Sequence, residues 1–163
     1  MNAFTENDFH HLDRCVELAR EALAAGDEPF GSVLVSGDGE ALAEDRNRVV
    51  ATGDRTQHPE INLARWAAAN MTPEERGRAT VYTSGEHCPM CAAAHGWVGL
   101  GHIVYAVSSA QLGEWLGVLG VPPPVVRTLP IQDVAPQVHV RGPVPELETT
   151  MRELHEEYYA SHA

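Results

Sequence analysis

His58-Pro59-Glu60 and Cys88-Pro89-Met90-Cys91 are the two stretches on which the reading of this chain turns. Together they supply one imidazole and two thiols, with a carboxylate two residues after the histidine. Zinc takes nitrogen and sulfur ligands in tetrahedral geometry; a structural site closes with four protein ligands, whereas a catalytic site keeps three and leaves a position open. His58, Cys88 and Cys91 make three. The remaining cysteine, Cys15, falls on the apolar side of an expected helix, where it reads as a small buried hydrophobe. One zinc ion per chain with an open position is therefore expected, and Glu60 is the group placed to move protons there.

The same stretches predict their own local structure. Proline suits the first position of a helix, where its missing N–H costs nothing, so Pro59 and Pro89 each predict a helix start. Cys88 and Cys91, three residues apart, can then face one point. Two helix N-termini aim partial positive charge at that point, which favours thiolates. Bound zinc lowers the pKa of water to roughly 7, and Glu60 can take a proton from that water and pass it to a substrate and its leaving group. Ammonia leaving an amidine-like ring carbon suits this chemistry best. A redox dithiol and a non-catalytic zinc-stabilised binding module, with His87 as a fourth ligand, are the competing readings.

Working outward, the capping-box spacing of Thr5-Glu6-Asn7-Asp8 predicts a helix to about Ala25. Leu12, Cys15, Val16, Ala19, Ala22 and Leu23 form its apolar face, and Gly26 ends it. Ser32-Val33-Leu34-Val35 reads as a strand, Ser36-Gly37-Asp38-Gly39 as a hairpin turn and Ala41 to Asp45 as the returning strand. Asn47 to Gln57 reads as a loop. The helix from Glu60 to Asn70 carries Ile61, Ala64 and Ala68 on one face, with Leu63 and Ala67 beside it. Thr72 caps a short turn, Ala79 to Thr83 is a third strand and Ser84-Gly85-Glu86-His87 a turn. A helix from Pro89 to about Gly99 leads to a fourth strand, His102 to Val107. Ser108 or Ser109 caps a helix through about Leu119, and Pro122-Pro123-Pro124 forces a stiff connector. From Val125 to Gly142 only a weak strand around Val138-His139-Val140 is legible. Pro145 opens a final helix with Leu147, Met151, Leu154 and Tyr158 on one face. Helices alternating with strands predict an α/β class with a sheet covered by helices.

Composition narrows the function. The 163 residues suit one domain with a sizeable core, and 44% hydrophobic with 21% charged residues is ordinary for a globular chain. No apolar run approaches the ~18 residues that cross a bilayer, and the polar N-terminus lacks the basic segment of a signal peptide, so a cytoplasmic location is expected. The formal charge is −12, all eleven basic residues are arginine, and lysine is absent. Lysine Schiff-base chemistry and a P-loop lysine are therefore excluded. Eleven acids lie between Glu6 and Asp45, against Arg14 and Arg20. Such a surface repels a phosphate backbone, which argues against a nucleic-acid ligand and leaves a neutral base or nucleoside open; no membrane partner is expected.

On these residues the chain resembles the cytidine deaminase superfamily, whose signature is H-x-E followed by P-C-x-x-C. The resemblance covers roughly Cys15 to Ala106. Pro29-Phe30-Gly31-Ser32-Val33-Leu34-Val35 resembles the family's first strand, Asn47 its substrate-loop asparagine, and Asp54-Arg55-Thr56-Gln57-His58-Pro59-Glu60 its D-x-T-x-H-x-E run. Tyr82-Thr83-Ser84-Gly85-Glu86-His87-Cys88-Pro89-Met90-Cys91 resembles the second ligand turn, nearest the guanine deaminase and tRNA adenosine deaminase branch. The resemblance implies a single three-layer α/β/α domain with a five-stranded mixed sheet, and a homodimer. It implies zinc-dependent hydrolytic deamination of a nucleobase or nucleoside, guanine-like ahead of cytosine- or triazine-like, with tRNA adenosine deamination as the alternative. Zinc would sit on His58, Cys88 and Cys91, Glu60 would shuttle protons, Asn47 would hydrogen-bond the substrate and Phe30 would pack near the base. A backbone N–H near Cys88 would serve the oxyanion side. Ser84, Glu86 and His87 are the turn residues expected at the substrate. Two positions depart from the family pattern: His87 replaces the usual proline and Pro59 the usual alanine. After Ala106 the chain diverges, and Glu114, Trp115, Glu153, His155, Glu156 and Tyr158 are the C-terminal candidates for shaping the pocket.

Overall fold

The computed structural model describes residues 3–162. Its strands are β1 (Gly31–Val35), β2 (Ala41–Arg46), β3 (Thr80–Gly85), β4 (His102–Val107) and β5 (Val140–Arg141), and they form one sheet in the order β2-β1-β3-β4-β5. β1 runs antiparallel to β2 and β3, while β4 is parallel to β3 and β5 to β4. The helices are α1 (Glu6–Ala24), α2 (Val49–Thr52), α3 (Pro59–Asn70), α4 (Pro73–Arg78), α5 (Pro89–Trp97), α6 (Ser109–Val118), α7 (Ile131–Val134) and α8 (Glu148–Ser161).

The period of two along each strand sorts the core into two layers. Val33, Val35, Tyr82, Val104 and Ala106 pack against Leu12, Cys15, Val16 and Ala19 of α1, Trp115 of α6, and Met151 and Leu154 of α8. Leu34 and Val81 face the other way, onto Leu63, Ala64 and Ala67 of α3. Ile103 and Tyr105 meet Ala92 of α5 and Ile131 of α7. A sheet covered on both faces reads as continuous apolar runs, which is how Val33–Val35 and Ile103–Val107 look. The five-stranded mixed sheet between two helical layers is the architecture implied by the family resemblance. Gly31 is where α1 meets the sheet: a Cβ there would lie 2.4 Å from Leu18 Cβ and 2.5 Å from the Cys15 carbonyl oxygen.

The expected capping box closes α1. Thr5 Oγ1 accepts the Asp8 N–H at 3.1 Å, and Asp8 Oδ2 accepts the Thr5 N–H at 2.8 Å. Asp8 Oδ1 also takes the Tyr82 hydroxyl at 2.9 Å, and Arg141 of β5 lies 3.3 Å from Oδ2. Burial pushes the Asp8 carboxyl up, but these hydrogen bonds and the arginine outweigh it and hold the group below its ordinary value. Its stabilisation is thus present above the unfolded pKa near 4 and is lost as pH falls through the lower folded value. Asp8→Asn is expected to cost about 1–2 kcal/mol, read as a drop in Tm of about 2–8 °C at neutral pH that shrinks on acidification.

Four expectations are corrected in detail. The buried stripe of α3 is Glu60, Leu63, Ala64 and Ala67, with Ile61 only half-buried and Ala68 exposed. The helix is rotated because Leu63 offers more apolar surface than Ala68 and because Glu60 points inward. β3 extends through Ser84-Gly85, since Gly85 still pairs with Val107, so only Glu86, His87 and the N-cap Cys88 connect it to α5. The loop from Asn47 to Gln57 holds the single turn α2, and the segment from Val125 to Gly142 holds α7. β5 falls on Val140–Arg141 rather than around Val138-His139-Val140. Among the described residues no helix is long and apolar enough to cross a membrane.

Candidate active site and zinc centre

Strand register brings the site together at one end of the sheet. Gly31 pairs with Arg46, and Ser32 with Thr83. Phe30, Asn47 and Gly85 therefore sit on neighbouring strand ends, beyond the carboxyl end of β3 where ligands of open α/β sheets bind. α5 begins there, and α3 packs beside it.

His58 and Cys88 are the N-cap residues of α3 and α5, each in extended conformation and each followed by proline. Neither side chain caps its helix, so both ligand atoms stay free. His58 Nδ1 lies 3.5 Å from Cys88 Sγ and 3.6 Å from Cys91 Sγ. Zinc–nitrogen and zinc–sulfur bonds of about 2.0–2.1 and 2.3 Å at a tetrahedral angle require a nitrogen–sulfur separation of about 3.6 Å. The donor set fits one zinc ion, and no fourth cysteine, histidine or carboxylate joins it among the described residues.

The electrostatics prepare the sulfurs for a cation. Cys88 is pulled down to about 4, first by the hydrogen bond from the Cys91 thiol, against burial, with His58 and the Cys91 N–H adding to the pull. Cys91 is pushed up by the Cys88 sulfur and by burial, while the Ile61 N–H of α3 opposes the rise. The opposite shifts make Cys88 the readier thiolate, and a zinc ion held by His58, Cys88 and Cys91 would take both sulfurs as thiolates. His58 is raised to about 8, chiefly by its bond to Cys88, with burial opposing and Glu60 adding.

Glu60, in the first turn of α3, is buried beside this set. Burial raises its pKa, His58 opposes and Cys88 adds, so the carboxyl is poised to hold a proton as well as give one. Its Oε1 is 3.2 Å from Thr83 Oγ1, which also lies 3.0 Å from the Gly85 carbonyl and takes the Ser32 hydroxyl at 2.8 Å. One hydroxyl proton faces two acceptors, so Thr83 can donate to Glu60 as a carboxylate and turn to Gly85 when Glu60 is protonated. Thr83→Val is expected to lower kcat about tenfold, the worth of one hydrogen bond to a charged group, with zinc content and KM unchanged in steady-state kinetics.

Around this centre, Asn47 is buried with its Oδ1 accepting the Val49 N–H at 3.0 Å, which leaves Nδ2 as its donor. The half-buried Phe30 ring lies so close to Gly85 that a Cβ there would be 2.9 Å away, and His155 of α8 packs on it at 5.0 Å between centroids. Ser84 Oγ accepts the Gly31 N–H at 3.1 Å. The Glu86 carboxylate accepts the N–H groups of Ser109 and Ile131 at 2.9 and 3.0 Å, tying down the starts of α6 and α7. His87 is buried against His95 of α5, and neither of its ring nitrogens has a hydrogen-bond partner among the described residues. Of the C-terminal candidates, His155 and Tyr158 are buried on the α8 side of the site, Trp115 lies in the core, Glu156 pairs with Arg152, and Glu114 and Glu153 are exposed. Sequence reasoning missed Thr83 and Asp27. The second had one visible signal, an acid between a helix end and Pro29-Phe30.

Residues 5–107 match the family model of the cytidine and deoxycytidylate deaminase zinc-binding region. The chain belongs to this family. It is similar to several deaminases that carry specific names. The guanine deaminase of Bacillus subtilis is 36% identical over 104 residues, 63% of this chain and 66% of that protein. A probable cytosine deaminase of Schizosaccharomyces pombe is 27% identical over 150 residues, 86% of this chain and 91% of its own length. The structure of the guanine deaminase of Nitrosomonas europaea superposes with a TM-score of 0.70, covering 98% of this chain and 87% of that one; at 22% identity this shows a common fold. The match spans only 18% of another relative, the tRNA(Ile)-lysidine synthase of Deinococcus radiodurans.

Proposed function

We propose that this chain hydrolyses the exocyclic amine of a small nucleobase or nucleoside and releases ammonia, with guanine- or guanosine-like substrates ahead of cytosine- or triazine-like ones. The observation that carries the reading is the buried Glu60 carboxylate, held by Thr83 beside a three-donor zinc set. Zinc bound by His58, Cys88 and Cys91 supplies an activated water at neutral pH. Glu60 takes a first proton from that water and gives it to a ring nitrogen, then takes the second from the hydroxyl added to the ring carbon and gives it to the departing amine. Asn47, its Oδ1 engaged by Val49, offers an N–H to a ring carbonyl or ring nitrogen. Phe30 provides an aromatic wall backed by His155.

The similarity to guanine deaminases supports the purine side. tRNA-specific adenosine deaminases are also among the relatives, but a formal charge of −12 with no lysine opposes a polyanionic substrate. Assembly as a homodimer and a cytoplasmic location, where ligand thiols stay reduced, belong to the same reading. Ammonia release from guanine, guanosine, cytosine, cytidine and adenine tests the proposal. Release from guanine or guanosine first is expected; release from cytosine alone moves the enzyme to the pyrimidine side, and release only from adenosine in a tRNA stem-loop selects the editing alternative.

A further inference from the structure

Asp27 is a fully buried carboxylate outside the zinc donor set, in the short connection between α1 and Phe30. Such a group is retained only when its charge and lone pairs are matched. Every side-chain partner here lies in one short segment. Oδ1 accepts the N–H groups of Val50 and Ala51, in the first turn of α2, at 2.8 and 3.0 Å. Oδ2 accepts from Arg46 Nη1 at 3.0 Å, and the same Nη1 donates to the Asn47 carbonyl at 3.0 Å. Asn47 itself gives its N–H to the Phe30 carbonyl at 3.0 Å and takes the Val49 N–H on Oδ1, also at 3.0 Å. Residue 47 is thus gripped on both flanks through one carboxylate. α2 has no buried residue, so apolar packing does not fix this segment; the charge at Asp27 does.

We propose that Asp27 is a positioning residue for the substrate, acting through Arg46 and the first turn of α2 to hold the Asn47 amide in its binding orientation. This rests on the reading of Asn47 as a substrate contact. Asp27→Asn keeps the size and one acceptor but removes the charge that Arg46 requires. With the zinc-loaded enzyme and its best substrate, KM is expected to rise about tenfold or more while kcat stays within about threefold and zinc remains at one per chain. In an Asn47→Ala background the same change should move KM by less than about threefold, because two residues acting as one unit are not additive. Arg46→Gln, at a side chain 17% exposed against the fully buried Asp27, should reproduce the pattern and carries the test if Asp27→Asn fails to fold. KM effects that multiply in the double variant, or loss of kcat and zinc at unchanged KM, would overturn the proposal. An Asn47→Ala enzyme with normal KM would instead overturn the role of Asn47, a result separable from additivity at Asp27.

Discussion

Replacing Cys88 with serine is expected to strip the chain of stoichiometric zinc and abolish turnover while leaving the fold in place. The sulfur sits 3.5 Å from His58 Nδ1, and both Cys91 and His58 pull its pKa down, so it is the hub of the donor set. A serine hydroxyl is a hard, protonated oxygen and a poor zinc ligand beside one thiolate and one imidazole. Serine is, however, a good N-cap residue, and position 88 is the N-cap of α5, so the helix still starts correctly. Metal analysis after dialysis should find less than about a tenth of an ion per chain, with activity down by about 10³-fold or more, because zinc activation of water is lost. Circular dichroism should show an unchanged helix content. In the unaltered protein, His58 is raised to about 8, so a proton competes with zinc below that pH. Apparent zinc affinity should fall about tenfold for each pH unit per proton displaced, which a zinc titration between pH 6 and pH 9 would read.

Glu60→Gln should separate metal from chemistry. Glutamine keeps the shape and the bond to Thr83 but cannot take a proton. General acid–base catalysis contributes about 10²–10⁴-fold, and because Glu60 is asked to move protons in two steps, a kcat loss near the upper end, about 10³-fold or more, is expected with one zinc retained. Stability should move the opposite way. The folded pKa of Glu60 is raised by burial, so ionising it costs stability as pH climbs past the unfolded value, and the cost is complete once pH exceeds the raised folded value. Glutamine removes it, and the metal-free variant should melt about 2–4 °C higher, on the order of 1 kcal/mol for a chain of this size. A non-catalytic zinc module would have no turnover to lose.

The parts of the site legible in the sequence are those whose geometry is local. Cys88 and Cys91 lie within one helical turn, and His58, Pro59 and Glu60 mark a helix start, so spacing alone shows where their side chains point. α1 was legible from its capping box and period. What escaped depends on partners distant in the chain. Thr83 reaches Glu60 across 23 positions and Ser32 across 51, and only the packing of α3 on the sheet and the register of β1 on β3 make them neighbours. Asp27 finds its partners in Arg46, Val50 and Ala51, 19 to 24 positions on. Glu86 reads as a substrate-facing turn residue, yet its carboxylate ties down Ser109 and Ile131. α2, α7 and β5 are too short to carry a periodic signal, and contacts to the rest of the fold decide their conformation.

The most direct test of the central claim is turnover in ¹⁸O-labelled water by the zinc-loaded chain, with ammonia and product mass followed together. The account predicts one ammonia released and one labelled oxygen gained per base converted, with both signals abolished in Glu60→Gln at unchanged zinc content. A chain that carries one zinc per molecule and releases no ammonia from any purine or pyrimidine, or one whose Glu60→Gln variant turns over at the original rate, would contradict it.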